Sequence, residues 1–80
     1  MKVLKFEADW CGPCKELSKW LDKQDIEHDI VKVNIENNRE MCEHYGIRSV
    51  PTLIMLNEDN TVRKTITGFN VGKLQQFLQI

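Results

Sequence analysis

Residues 8–15, with the sequence ADWCGPCK, decide the fold of this chain, because a strand-like segment enters them and a helix-like segment leaves them. Pro13 suits the first turn of a helix, where its missing N–H removes no helical hydrogen bond. Downstream, apolar or small side chains recur at helical spacing at Cys14, Leu17, Ser18 and Leu21. The sequence therefore predicts a strand that feeds directly into a helix beginning at the two cysteines.

The entering strand is predicted over Val3–Ala8. Its apolar residues Leu4, Phe6 and Ala8 alternate with the charged residues Lys5 and Glu7. Because successive side chains of a strand point to opposite faces, we expect the apolar set to face a core and the two charged residues to face away from it.

Five further elements follow the first helix. Each is predicted from its apolar period and its flanking turn residues. They are a strand with Val31, Val33 and Ile35, a helix capped by Asn37 or Asn38 and stopped by Gly46, strands over Thr52–Leu56 and Thr61–Ile66, and a helix over Val71–Leu78 capped by Asn70. The order β-α-β-α-β-β-α predicts an α/β fold with a four-stranded mixed sheet flanked by helices. We expect one domain over residues 1–80.

Composition excludes several classes of function. The 80 residues carry 11 Lys and Arg against 12 Asp and Glu, a net charge of −1, so the basic footprint of a nucleic-acid-binding protein is missing. The stretch Met1–Phe6 lacks the long apolar core of a secretion signal, and no apolar run is long enough for a membrane span. We expect a cytoplasmic protein that binds neither nucleic acid nor membranes.

Cys11 and Cys14 are the candidate reactive groups. In a reducing cytosol two cysteines at this spacing are more often catalytic or metal-binding than structural. The start of a helix stabilises negative charge, so Cys11 is predicted to be the nucleophilic thiolate. Cys14 is predicted to lie on the apolar helix face, to be the more buried of the two, and to act as the resolving thiol in disulfide exchange.

Other interpretations of the cysteines are an inert disulfide or a zinc site completed by Cys42 and His44. Residues two apart on a helix point about 200° away from each other, so that pair would not converge on one ion. We therefore expect no metal site. Cys42 is interpreted as a small apolar residue of the helix face, and His28 and His44 as ordinary surface residues.

Three separated parts of the chain resemble the thioredoxin family: residues 8–15, residues 45–53 (YGIRSVPTL) and Gly68. The resemblance covers nearly the whole chain and implies a thioredoxin-like fold that lacks the first strand and helix of a full-length thioredoxin. It implies a protein disulfide reductase with no bound cofactor. Electrons would come from NADPH through a flavoprotein thioredoxin reductase, and the protein would be a monomer.

The resemblance also implies a binding site for an extended partner chain. That chain would lie against Trp10, the Gly12–Pro13 pair, Val50–Thr52 and Gly68, with a cis peptide before Pro51. Two other functions stay open. The first is a glutathione-linked, glutaredoxin-like oxidoreductase, which is disfavoured by Gly-Pro between the cysteines and by the absence of a double glycine at position 68. The second is a non-catalytic adaptor, which would not need both cysteines.

One departure from the family concerns proton transfer. Lys5 stands where thioredoxins usually carry a buried acid that handles the proton of the second cysteine. An ammonium there would favour the Cys14 thiolate if it lay within about 4–6 Å. Glu7 is interpreted as a solvated strand residue, and Lys32, which matches a lysine of the family, as an exposed one.

Overall fold

A computed structural model describes residues 1–80 and contains four strands and three helices. In chain order the elements are β1 (Lys2–Glu7), α1 (Gly12–Asp22), β2 (Asp29–Asn34), α2 (Arg39–Tyr45), β3 (Thr52–Leu56), β4 (Val62–Thr67) and α3 (Val71–Leu78). The sheet order is β2-β1-β3-β4, with β1 and β2 parallel and the other two pairs antiparallel. The predicted order of elements and the mixed sheet are confirmed. None of the three helices has the length and hydrophobicity of a membrane-spanning segment.

Both faces of the sheet are covered, so the two central strands β1 and β3 are buried on both sides. The face toward α1 and α3 carries one apolar cluster: Val3, Leu17, Leu21, Leu53, Met55, Leu74, Phe77 and Leu78. The face toward α2 carries the other: Leu4, Phe6, Val33, Ile54 and Leu56, with Met41, Cys42 and Tyr45 packed against it. The core is therefore two layers that share the same two strands.

The expectation that Lys5 and Glu7 face away from the core is wrong. Lys5 is 1% exposed and the Glu7 side chain is 25% exposed, because β1 lies between β2 and β3 and the face that carries both residues is covered by α1. The ammonium of Lys5 lies 2.8 Å from Oε1 of Glu7 and donates a hydrogen bond to Oγ of Ser18. The ion pair and its hydrogen bond offset the free-energy cost of burying the two charges, since buried charges are tolerated when they are paired and hydrogen-bonded.

The helix ends show why the helices begin and stop where they do. At the start of α3, Oδ1 of Asn70 accepts a hydrogen bond from the backbone N–H of Lys73 at 3.0 Å. Gly46 closes α2 with φ 65°, a left-handed conformation that glycine adopts without steric cost. Asn38 occupies the N-cap position before α2, but its side-chain amide donates to the carbonyl of Asn34 and does not cap the helix.

The connection between β3 and β4 is a polar turn at Asn57–Asn60. Within it, the Asp59 carboxylate accepts hydrogen bonds from the Thr61 hydroxyl at 2.6 Å and from the Thr61 backbone N–H at 3.1 Å. These bonds, the hydroxyl first, lower the pKa of Asp59. The two strands form an antiparallel hairpin, with an irregularity in pairing between Met55 and Leu56.

Candidate active site

Cys11 and Cys14 form a disulfide at the N-terminus of α1, with their Cα atoms 5.2 Å apart. Cys11 occupies the N-cap position, and the backbone N–H of Cys14 donates to its sulfur at 3.1 Å. The helix therefore begins at the cysteines, as expected. Cys14 is predicted to be the more buried of the two, and the difference is small: Cys11 is 4% exposed and Cys14 is 3% exposed. The loop before β3 covers Cys11, and the Cys11 sulfur lies 3.7 Å from the carbonyl oxygen of Val50.

The loop before β3 forms the opposite wall of the site. The peptide bond between Val50 and Pro51 is cis, as the resemblance implies. The Pro51 carbonyl accepts a hydrogen bond from the backbone N–H of Gly68 at 2.9 Å, which fastens the loop to the end of β4. Gly68 has φ 80°, a conformation that side-chain-bearing residues rarely adopt. The three predicted segments thus meet at one end of the sheet.

An open groove of about 530 Å³ lies between these walls. Its lining includes Gly12, Pro13, Val50, Pro51 and Gly68, together with Glu16 and Phe69. The predicted partner-binding residues other than Trp10 and Thr52 therefore lie together along one groove. Sequence reasoning missed Phe69, although an apolar residue directly after the glycine that ends a strand is a signal that could have found it.

Trp10 and Thr52 lie elsewhere. The Trp10 side chain is 68% exposed and lines a second depression of about 450 Å³ on the other side of Val50, together with Ile47 and Arg48. Thr52 is buried, and its hydroxyl donates to the carbonyl of Ser49 at 2.8 Å. Its side chain stabilises the loop and does not line the groove, because Thr52 lies in β3 between the neighbouring strands β1 and β4.

Behind the disulfide lies a cavity of about 310 Å³ that Cys14 shares with Glu7, Ser18 and three other residues. No hydrogen-bond donor other than the Lys5 ammonium reaches Oε1 of Glu7. The interpretation of Glu7 as a solvated strand residue is therefore wrong. Sequence reasoning also missed Ser18, whose position one helical turn after Cys14 was the available signal.

The remaining titratable side chains form no further reactive cluster. No group of three or more His, Cys, Asp or Glu side chains is arranged to hold a metal ion. Cys42 is half-buried against the apolar layer under α2, and its thiol points to the carbonyl of Ile35 at 4.0 Å. His44 is exposed and packs edge-to-face on Tyr45. His28 is not an ordinary surface residue, because its Nδ1 is buried and has no hydrogen-bond partner.

The arrangement can perform thiol–disulfide exchange. Two sulfurs close a small ring at a helix N-terminus, where the oriented backbone N–H groups favour a thiolate over a thiol. Apart from Glu16, the groove beside them is lined by backbone atoms and apolar side chains, so it suits an extended polypeptide better than a small charged substrate.

The comparisons with known proteins agree with this chemistry. The family model described as thioredoxin matches residues 1–80. Thioredoxin of Bacillus subtilis is 41% identical over 77 residues, which cover 91% of this chain and 73% of that protein. Thioredoxin-T of Drosophila melanogaster is 33% identical over 81 residues, covering 96% of this chain and 51% of that protein, so the chain spans about half its length.

Among solved structures, the crystal structure of thioredoxin from Trypanosoma brucei brucei superposes with a TM-score of 0.85 at 31% identity. The superposition covers 98% of this chain and 71% of the Trypanosoma chain. The similarity therefore extends over the whole of the sheet and the three helices described above.

Proposed function

Because the chain belongs to the thioredoxin family, we propose that it reduces disulfide bonds in other proteins, with Cys11 as the nucleophile and Cys14 as the resolving thiol. Family membership and the close cysteine pair make the chain a thiol–disulfide oxidoreductase, and they do not favour the glutaredoxin alternative. The observation that carries the assignment of roles is the hydrogen bond from the Cys14 N–H to the Cys11 sulfur.

That hydrogen bond distinguishes the two sulfurs. In the reduced protein the same N–H, at the positive end of the α1 dipole, stabilises a thiolate on Cys11. The Cys11 thiolate attacks a sulfur of the partner disulfide, and the other partner sulfur leaves as a thiolate. Cys11 is then joined to the partner in a mixed disulfide.

Resolution completes the reaction. The Cys14 thiolate attacks the Cys11 sulfur, the bond between Cys11 and the partner breaks, and the second partner sulfur leaves as a thiolate. The partner has gained two electrons, and the Cys11–Cys14 disulfide has formed. A second dithiol must reduce that disulfide before the next cycle. We propose a flavoprotein thioredoxin reductase, supplied by NADPH, as this electron donor.

The groove supports a protein as the substrate. A partner chain that lies in extended form beside the cis Pro51 can pair with the backbone of Val50, and main-chain pairing carries little sequence information. Exposed Trp10 and Phe69 flank the disulfide on two sides and offer apolar contact area to such a chain. We propose disulfide-containing proteins of broad sequence as substrates, with the reductase working as a monomer in the cytoplasm.

The test is the equilibrium reduction potential of the Cys11–Cys14 pair, titrated in defined dithiol buffers and read by mass shift after alkylation. We expect a value below about −230 mV, as for a cytosolic reductant. A value near about −180 mV or higher would assign an oxidant or isomerase instead. A second experiment traps the mixed disulfide. Cys14→Ser should accumulate disulfide-linked partner proteins, whereas Cys11→Ser should not. Efficient removal of glutathione from glutathionylated protein would favour the glutaredoxin alternative.

A further inference from the structure

Glu16 is the only charged residue that lines the groove beside the disulfide. Its side chain is exposed, and it belongs to neither of the two ion pairs of the chain, Lys5–Glu7 and Arg39–Glu43. An acidic side chain without a counterion, in a groove that is otherwise apolar or backbone, attracts a cation that enters the groove and repels an anion. The groove therefore carries a charge that a partner chain has to match.

The position of Glu16 on α1 determines which part of a partner it can meet. Residues three and four apart on a helix are neighbours, so Glu16 lies one turn beyond Gly12 and Pro13 on the side of α1 that borders the groove. It follows Cys11 by five positions, which corresponds to about 7.5 Å along the helix. An extended chain advances about 6.8 Å over two residues, and side chains two apart point to the same face. A partner that follows the groove away from Cys11 thus brings the side chain two residues from its reactive cysteine level with Glu16.

Phe69 adds an aromatic contact in the same groove. It directly follows Gly68, whose backbone N–H donates to the Pro51 carbonyl at 2.9 Å, so the loop beside the disulfide holds its backbone in place. Phe69 is 38% exposed, which leaves ring surface open to a partner. Aromatic rings attract cations, arginine more often than lysine. A planar guanidinium can stack on a ring while its N–H groups bond a carboxylate, whereas an ammonium is a compact point charge.

We propose that Glu16 and Phe69 select partner proteins that carry an arginine two residues from the cysteine that Cys11 attacks. The inference rests on the proposed function, because it concerns how substrates are held in the same groove. Main-chain pairing with Val50 admits many sequences, so the arginine adds a preference within a broad set of substrates. Glu16 and Phe69 determine specificity and take no part in the bond exchange at the sulfurs.

Chromogenic peptides measure this preference. Each short peptide carries one cysteine joined by a disulfide to 2-nitro-5-thiobenzoate, and attack of Cys11 on the peptide sulfur releases the coloured thiobenzoate thiolate. The peptides carry arginine, lysine, citrulline or glutamate two residues before or two residues after the cysteine, with alanine at the other positions. Citrulline has nearly the shape of arginine without its charge. The measured quantity is the second-order rate constant of release by the reduced protein.

We expect the arginine peptide to react about fivefold faster than the citrulline peptide at one of the two positions, since Glu16 lies to one side of Cys11. The ratio is modest because an exposed ion pair and an exposed cation–ring contact are each weak. Lysine should fall between arginine and citrulline, and glutamate below citrulline. The ratio should shrink in about 0.5 M salt, because salt screens exposed charges.

Variants assign the preference to the two residues. Rate ratios are compared within each variant, so that a change in the reactivity of Cys11 itself cancels. Glu16→Gln should bring the ratio of arginine to citrulline below about twofold, and Glu16→Lys should favour glutamate over arginine. Phe69→Ala should remove the advantage of arginine over lysine. Asp22→Asn, which removes an exposed carboxylate farther along α1 and outside the groove, should leave the ratio unchanged.

Equal rates for arginine and citrulline at both positions would overturn the proposal. So would a fivefold ratio that survives in Glu16→Gln, or one that Asp22→Asn lowers as much as Glu16→Gln does. Failure of the proposed function is a separate result. If Cys11→Ser released the thiobenzoate from every peptide as fast as the unmodified protein, Cys11 would not be the nucleophile, whatever the ratio between peptides.

Discussion

Lys5 and Glu7 show what the pattern of a single strand leaves undetermined. Alternation assigned Leu4 and Phe6 to a core, and the structure confirms this, but it assigned the charged positions between them to water. The face of Lys5 is covered by α1, which follows β1 directly in the chain. Whether a charged side chain on that face meets water or a counterion depends on which helix packs there. That information lies outside the strand's own sequence.

The Lys5–Glu7 pair predicts an asymmetry in stability. Glu7→Gln leaves a buried ammonium without its counterion and should lower the free energy of unfolding by about 2–3 kcal/mol. Replacing both residues, as Lys5→Met together with Glu7→Gln, should cost less than the single change, because no charge is then left unpaired. Urea unfolding of the oxidised proteins measures both values. A double variant less stable than Glu7→Gln would contradict this explanation.

Asp59 gives a prediction about pH. Its pKa is lower in the folded chain because the carboxylate accepts hydrogen bonds from Thr61. A group whose pKa is depressed by folding adds stability above its unfolded pKa and loses it as the pH falls through the folded pKa. A carbon-detected NMR titration of the Asp59 carboxyl should give a midpoint below that of an unstructured aspartate. Thr61→Val, which keeps the backbone N–H and removes the hydroxyl, should raise the midpoint.

Local sequence signals predicted the helix ends better than they predicted which strand residues are buried. Pro13, Asn70 and Gly46 each mark a helix end for a reason that is local to the backbone, and all three act at the ends of the observed helices. Asn38 shows the limit of such signals. An asparagine before a helix can cap it or bond backward to the preceding turn, and the carbonyl of Asn34 is the acceptor here. At the site, the cysteines and the cis proline loop were predictable because each carries a motif, whereas Ser18 and Glu7 carry none.

Two glycines give opposite predictions when each is changed to alanine. Gly46→Ala should destabilise the protein by about 1–2 kcal/mol, because the left-handed conformation places a Cβ too close to the backbone. Gly72→Ala should stabilise it by about 0.5–1 kcal/mol, because Gly72 lies within α3 and a Cβ there meets only Asn70 Oδ1, at 3.6 Å. Thermal unfolding of the two variants beside the parent decides the signs, and equal signs would refute the argument.

At the scale of the whole molecule, the two apolar layers are joined through β1 and β3, whose side chains point alternately into each. We therefore expect the layers to unfold together in one transition. Leu74→Ala, in the layer under α3, should lower the free energy of unfolding by about 3 kcal/mol. Far-UV circular dichroism and the amide resonances of α2, on the other face, should report the same shifted midpoint. Separate midpoints would show that the layers are independent.

The exposed position of Trp10 predicts a division between large and small substrates. Trp10→Ala should raise the KM for a disulfide-bonded protein such as insulin by about tenfold, as loss of an aromatic contact at an interface commonly does. Capture of 5,5′-dithiobis(2-nitrobenzoate) by Cys11 should change less than twofold. Trp10→Phe, which keeps an aromatic ring, should restore most of the protein activity. Equal losses on both substrates would place Trp10 in the chemistry rather than in docking.

The turn at Asn57–Asn60 lies at the pole of the sheet opposite the disulfide, because β3 enters from the loop beside Cys11 and β4 returns to it at Gly68. Glu58 is exposed at that pole and takes no part in the hydrogen bonds of the turn. A fluorophore, an affinity peptide or an electrode linker attached there would project away from the docking groove. The hairpin thus offers an attachment point from which electron flow through the molecule can be recorded while protein partners still reach the sulfurs.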